Sequence, residues 1–152
     1  MQFGLVGSEM CIRDRVMSEV SELALKTVGK VALLGSDIPT LNSKDLNDAF
    51  SKKLEKENLF LQTDDGGFCF MLSKDKNIIN CLSKIQSSTT SVMKTLRSCL
   101  NQVNISKKIY SDVDITLDLK KVYDQLKLNE AYVTNEQKDL LNFLRLNEKI
   151  CI

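Results

Sequence analysis

The stretch VALLGSDIPT at 31–40 constrains the chain more than any other. Four consecutive apolar residues read as a strand buried on both faces, the pattern of a central strand in a parallel sheet. Gly35 ends the run and leaves Asp37 at the strand's carboxyl end, which is where ligands bind in open α/β sheets. Pro39, the only proline, fixes the turn and drives Ile38 toward extended backbone, so Asp37 is held in one direction. The order Ser-Asp-x-Pro is equally an ordinary exit from a sheet into a helix. On these residues alone both readings stand.

Composition narrows the chemistry. The 152 residues fit one domain with a real core, and 43% apolar with 27% charged residues is ordinary for a globular protein. With 21 Lys and Arg against 20 Asp and Glu, a net charge of +1 gives no electrostatic argument for nucleic acid or an anionic membrane. No run reaches membrane-spanning length. The five cysteines, Cys11, Cys69, Cys81, Cys99 and Cys151, form no C-x-x-C pair, so the expectation is reduced, buried thiols in a cytoplasmic protein. Histidine is absent, which removes Ser-His-Asp and Cys-His nucleophilic machinery and leaves carboxylates as the polar chemistry.

Along the chain, helices alternate with short strands. Val20, Leu23, Ala24 and Val28 predict an amphipathic helix over 17–28 that packs on the sheet and is ended by Gly29. Asn42 and Asp45 form a cap for the next helix, with Leu46, Ala49, Phe50 and Leu54 as its buried stripe. LFLQ at 59–62 and FCFML at 68–72 are strand candidates around Thr63-Asp64-Asp65-Gly66-Gly67. That insert is either a reverse turn or a place where two glycines let the backbone approach a ligand with Asp65 beside it; spacing does not choose between them. Two helices follow, one carrying Ile78, Ile79, Leu82 and Ile85, the other Val92, Leu96, Cys99, Leu100 and Val103. A last strand is expected over 107–113, and Asp114 then sits at a helix start, where a cap is the plain explanation. Beyond it, Thr134 and Gln137 make a capping box for a closing helix with Leu140, Leu141 and Leu144, expected to pack on the sheet rather than form a dimer contact.

Two aspartates at two strand ends carry more than one. If the strands are neighbours, Asp37 and Asp114 converge on one crevice, and converging carboxylates are what a hard cation such as Mg²⁺ needs. Such a cation neutralises a diphosphate leaving group. Asp65, beside its glycines, is the candidate general base.

The order of these pieces resembles a known family. GSDIP at 35–39, DGGF at 65–68, SSTTSV at 87–92 and DVDITLDL at 112–119 resemble the G-S-D-x-P, D-G-G-[YF], W-S-T-x-x-V and D-V-D-T-x-x-D-L blocks of the rSAM/selenodomain-associated glycosyltransferase-like proteins. Those proteins are similar to nucleotide-diphospho-sugar transferases. The resemblance spans roughly 17–126 and implies an α/β chain, a three-layer α/β/α sandwich of the GT-A, Rossmann-like type with a mostly parallel sheet. It implies that Gly35, Ser36 and Asp37 lie by the donor diphosphate, that Asp65, Gly66 and Gly67 border the sugar or acceptor, and that Ser88 and Thr89 complete the substrate site. Asp37 and Asp114 become the implied ligands of Mg²⁺ or Mn²⁺, while Asp112, Asp118 and Leu119 match the same block. Ser87 replaces the family's tryptophan and Ile115 its threonine.

The implied partners are a nucleotide sugar and an unidentified acceptor. Nothing before residue 17 resembles the strand and glycine- and lysine-containing loop that hold the nucleotide in such families, so the chain reads as the carboxyl-terminal portion of the domain, an incomplete fragment. GLVGSEMCIRDR at 4–15 resembles a translated sequencing-adaptor peptide, which divides the chain into a non-native 1–15, a transferase portion 16–128 and a helical extension 129–152. A nucleotidyltransferase of the same fold and a non-catalytic scaffold are the alternatives.

Overall fold

The computed structural model describes residues 6–51, 58–85 and 91–147, with side chains from residue 16 onward. The elements run α1 (Val6–Val28), β1 (Val31–Leu34), α2 (Ser43–Ser51), β2 (Asn58–Thr63), β3 (Phe68–Ser73), α3 (Asn77–Leu82), α4 (Val92–Cys99), β4 (Asn104–Tyr110), α5 (Thr116–Leu128), a single 3-10 turn (Glu130–Tyr132) and α6 (Asn135–Leu146). The strands form one sheet in the order β1-β3-β2-β4. Both ladders of β3 are antiparallel, whereas β2 and β4 pair in parallel. The sheet is therefore mixed, not mostly parallel as the sequence led us to expect. The β2–β3 hairpin returns the chain against the common direction of β1, β2 and β4 and inserts β3 between β1 and β2.

This insertion also moves β1. Among the described residues the VALL run is an edge strand, with Val31 buried but Leu34 57% exposed, rather than the doubly covered centre its apolar run predicts. The doubly covered strands are β2 and β3, in which nearly every residue is buried.

Side-chain alternation sends two sets of residues to opposite faces. On one, Phe60, Met71 and Val31 pack with Leu25 of α1, Ile78, Cys81 and Leu82 of α3, and Val92 and Leu96 of α4. On the other, Leu59, Leu61, Phe70, Leu72 and Tyr110 pack with Ile38 and with Ala49 of α2. Helices thus cover both faces. Each fully buried large side chain contributes about 1.5–3 kcal/mol relative to exposure.

Several elements differ in detail from their sequence patterns. In α1 the stripe Val20, Leu23 and Val28 faces out, and the helix docks through Ser21, Ala24 and Leu25. Ser21 can be fully buried because its hydroxyl donates to the Met17 carbonyl of its own helix at 2.6 Å, and small residues let α1 approach α3 closely. Strand β4 lies three residues earlier than expected, since its register is set by the pairs Phe60–Ile105 and Thr63–Tyr110. Helix α6 packs not on the sheet but on α5, where Leu141 and Leu144 meet Val122 and Leu126. Two of the thiols expected to be reduced, Cys81 of α3 and Cys99 of α4, form a disulfide with Cα atoms 5.8 Å apart. Burial pushes the free Cys69 thiol up to about 12, helped by the charges of Asp45, Asp112 and Asp37, so it is inert at neutral pH.

At the end of the sheet remote from Asp37, the fully buried Asn58 accepts from Ser73 Oγ at 2.6 Å and donates to the Gln102 carbonyl at 2.9 Å. Ser73 in turn accepts from the Asp75 amide. Asn58→Ala removes the partner of the buried Ser73 hydroxyl and of the Gln102 carbonyl, so the expected loss is about 2 kcal/mol in urea unfolding.

Candidate functional site

The cleft grows from the loops that follow the three co-directional strands. After β1, the Gly35 amide donates to the Cys69 carbonyl at 2.8 Å, and the Asp37 carbonyl accepts from the Val113 amide at 3.1 Å. Cys69 can reach Gly35 because it is the extra residue of a β-bulge: Phe70 pairs with Leu61, but Phe68 pairs with Gln62. Bulges re-aim side chains at sheet ends, and this one turns Phe68 onto the cleft. After β4, the chain crosses toward the β1 loop, which brings Asp112 to the same cleft as Asp37 although β1 and β4 are opposite edges of the sheet.

Between β2 and β3, the turn resolves the two readings of the Asp-Gly-Gly insert. Asp65 Oδ1 accepts from Thr63 Oγ and from the Gly67 amide at 2.9 Å. Gly66, at φ +93°, supplies the left-handed step, and its carbonyl receives the Met93 amide at the start of α4. A Cβ on Gly67 would lie 3.1 Å from Thr63 Oγ and 3.2 Å from Asp65 Oδ1. Gly67 therefore makes room for the turn's own carboxylate, and Gly66 supplies its positive φ. Asp65 stands at the cleft with one oxygen committed to the turn.

The result is a cleft of about 360 Å³. Leu33, Leu34, Ile38, Phe68, Ile85 and Val92 form its apolar wall, and Gly35, Ser36, Asp37, Asp65, Gly67 and Asp112 its polar side. No Lys or Arg is among the described residues that line it. Burial raises the Asp112 carboxyl above the usual range, and the charges of Asp65, Asp114 and Asp64 add to this against an opposing backbone hydrogen bond.

Of the residues expected at the site, the structure brings Gly35, Ser36, Asp37, Asp65 and Gly67 together. Gly66 does not line the cleft. Asp114 does not either: it is exposed at the start of α5, where its amide donates to Asp118 Oδ2 at 3.2 Å. Ser88 and Thr89 lie outside the described residues. Asp112, two residues earlier, lines the cleft where Asp114 was expected to point. The early end of β4 is the cause, and the alternation Asp112-Val113-Asp114 was the only signal that could have pointed to it.

The donor set can be tested against a divalent cation. Among the described residues no three His, Cys, Asp or Glu side chains are grouped as a closed metal site. Mg²⁺ does not require one, because it is held by one or two carboxylates together with phosphate oxygens and water. Asp37 and Asp112 both line the cleft and are of the right type for that role, and Asp114, outside the lining, is near enough to Asp112 to raise its carboxyl.

Outside the cleft, Lys121 is held between Asp118 at 3.0 Å and Asp64 at 3.4 Å. Asp118 also accepts from the Asp114 and Ile115 amides, giving half of a capping box. Ile115 has no side-chain oxygen for the other half. Ile115→Thr is expected to complete it and raise stability by about 1 kcal/mol, read as an upward shift in the thermal midpoint.

A mixed α/β sheet with an acidic cleft at the carboxyl ends of its co-directional strands defines the class. The chain is similar to a protein from Desulfovibrio desulfuricans G20, provisionally assigned as a nucleotide-diphospho-sugar transferase, with a TM-score of 0.68 at 20% identity. The match covers 89% of this chain and 59% of that one, so the chain spans less than two thirds of its neighbour's length. A family described as "Uncharacterized protein conserved in bacteria (DUF2064)" matches residues 12–89, and the chain belongs to that family. No curated protein matches it. Among the described residues no helix is long and apolar enough to cross a membrane.

Proposed function

We propose that the chain is part of a glycosyltransferase-like enzyme that moves a sugar from a nucleotide-diphospho-sugar to an acceptor with the help of Mg²⁺ or Mn²⁺. The observation that carries this reading is the convergence of Asp37, Asp65 and Asp112 on one cleft, in a fold shared with a protein assigned to that chemistry. The four sequence blocks support placing it beside the rSAM/selenodomain-associated glycosyltransferase-like proteins.

Electrostatics supports the metal requirement. A diphosphate entering a cleft whose described lining holds three carboxylates and no Lys or Arg meets like charge there. A divalent ion held by Asp37 and Asp112 would offset most of that negative charge and supply the countercharge for the leaving diphosphate. Gly35 and Ser36 present backbone and hydroxyl to the donor beside it. Asp65, with one oxygen fixed by the turn, is pre-aimed as the base that accepts the acceptor's proton. The apolar wall excludes water from the transfer.

The test is a thermal-shift series on the full chain with Mn²⁺, a panel of nucleoside-diphosphate sugars, or both. Stabilisation is expected to be small with Mn²⁺ alone and to grow when a nucleotide sugar is added with it, reaching about 2.7 kcal/mol at a hundredfold excess over Kd. Asp37→Asn should abolish it. A shift that survives Asp37→Asn, or no shift with any donor, overturns the proposal.

A further inference from the structure

We propose that Gln137 of α6 is a positioning residue for the Asp37–Asp112 pair; its consequence for binding rests on the function proposed above. Gln137 lies outside the stretch that resembles the glycosyltransferase-like proteins, and its side chain is buried. Its amide is oriented without ambiguity by its partners. Oε1 accepts from the Thr134 amide at 3.1 Å, while Nε2 donates to the carbonyls of Pro39 at 2.9 Å and Leu41 at 3.3 Å. One side chain thus caps its own helix and grips the loop that carries Asp37.

The loop is held from its other side as well, through the Val113 amide on the Asp37 carbonyl. Val113 follows Asp112 directly and precedes α5, and α5 is packed against α6 through Val122, Leu126, Leu141 and Leu144. The contacts close a ring: Asp37 loop, Gln137, α6, α5, Asp112 segment, and back to Asp37. A closed ring holds the two segments that carry the carboxylates, and among the described residues Gln137 supplies the side-chain hydrogen bonds from α6 to the loop. Opening it there frees the loop to move without removing any group from the cleft.

Two variants of the full chain separate the clamp from the cap. Gln137→Glu keeps an oxygen for the Thr134 amide but loses the donor to Pro39 and Leu41. Thr134→Ala removes the Thr134 Oγ to Gln137 amide bond and leaves the clamp. Amide hydrogen exchange by NMR is expected to quicken about tenfold at Leu41 and Val113 in Gln137→Glu, the order for loss of one buried hydrogen-bonding group, and to stay unchanged there in Thr134→Ala. Affinity for Mn²⁺ alone should fall several-fold in Gln137→Glu and Gln137→Met but not in Thr134→Ala. Gln137→Met, which loses both roles, guards against an effect of the new charge and should match Gln137→Glu at Leu41 and Val113.

Equal exchange at Leu41 and Val113 in all variants, or faster exchange with unchanged Mn²⁺ affinity, overturns the proposal. If the unaltered chain binds no Mn²⁺ while the exchange pattern is as expected, the positioning geometry is upheld and the metal-dependent reading fails.

Discussion

Reduction of the Cys81–Cys99 disulfide is expected to lower the unfolding free energy by about 3 kcal/mol, the chain-entropy value for closing a loop of this length. The two residues are 18 apart in sequence and join α3 to α4 inside the larger of the two sheet-facing clusters. Cys99 is only half-buried, which gives a reductant access. Urea unfolding with and without dithiothreitol checks this: the reduced chain and a Cys81→Ala, Cys99→Ala double variant should share one lowered midpoint. The loop closed by the bond includes Ile85 and Val92, both on the apolar wall of the cleft. Reduction should therefore also widen exchange at the Met93 amide, which is tied to Gly66. An unchanged midpoint would show that helix packing alone fixes α3 against α4.

No spacing rule pointed to that bond, since pairing depends on two helices meeting across a connection whose geometry is tertiary. What local rules govern was legible. The reciprocal Asn42–Asp45 cap and the Thr134–Gln137 capping box form as their residues predict, because each is satisfied within four residues. Gly29 ends α1 with its amide on the Leu25 carbonyl. Strands β2 and β3 fall where their apolar runs place them.

Errors arose where the partner decides. Apolarity in VALL is the same whether a strand is central or lies at an edge beside a helix, so strand order was not in it. The outward Val20 and Leu23 show the converse: hydrophobic spacing marked a face, but Ser21 docks instead because its hydroxyl is satisfied locally. For the cleft, Asp37 and Asp65 were legible because glycine- and proline-marked turns announce where a strand stops. That Asp112 lines the cleft and Asp114 does not was not legible, for it turned on where β4 ends. Nor was the second role of Gln137, since its partners Pro39 and Leu41 are nearly a hundred residues away.

Asp112→Asn should move stability and ligand binding in opposite directions. Burial first, and then the charge of Asp65, raise the Asp112 carboxyl above its ordinary value. A carboxyl with a raised folded-state value keeps its proton to higher pH in the folded chain than in the unfolded one. Its contribution therefore favours the fold at acid pH, declines as pH rises from about 4 through the raised value, and is unfavourable at neutrality. Asparagine removes that penalty. Without metal at pH 7, the variant should melt slightly higher than the unaltered chain, by a few tenths of a kcal/mol once solvent screening of a partly open group is counted. The difference should shrink as pH falls toward 4. Binding of Mn²⁺ should weaken by at least about tenfold, as expected when a site loses one of two anionic donors. Thermal midpoints across pH in the presence of a chelator, together with a Mn²⁺ titration at pH 7, measure both effects on one sample. A variant that loses stability at neutral pH would assign Asp112 to holding the Asp37 loop; one that gains stability yet binds the ion unchanged would remove Asp112 from the site. Gain in one and loss in the other is the signature of a carboxylate kept in place at a cost to the fold for what it holds.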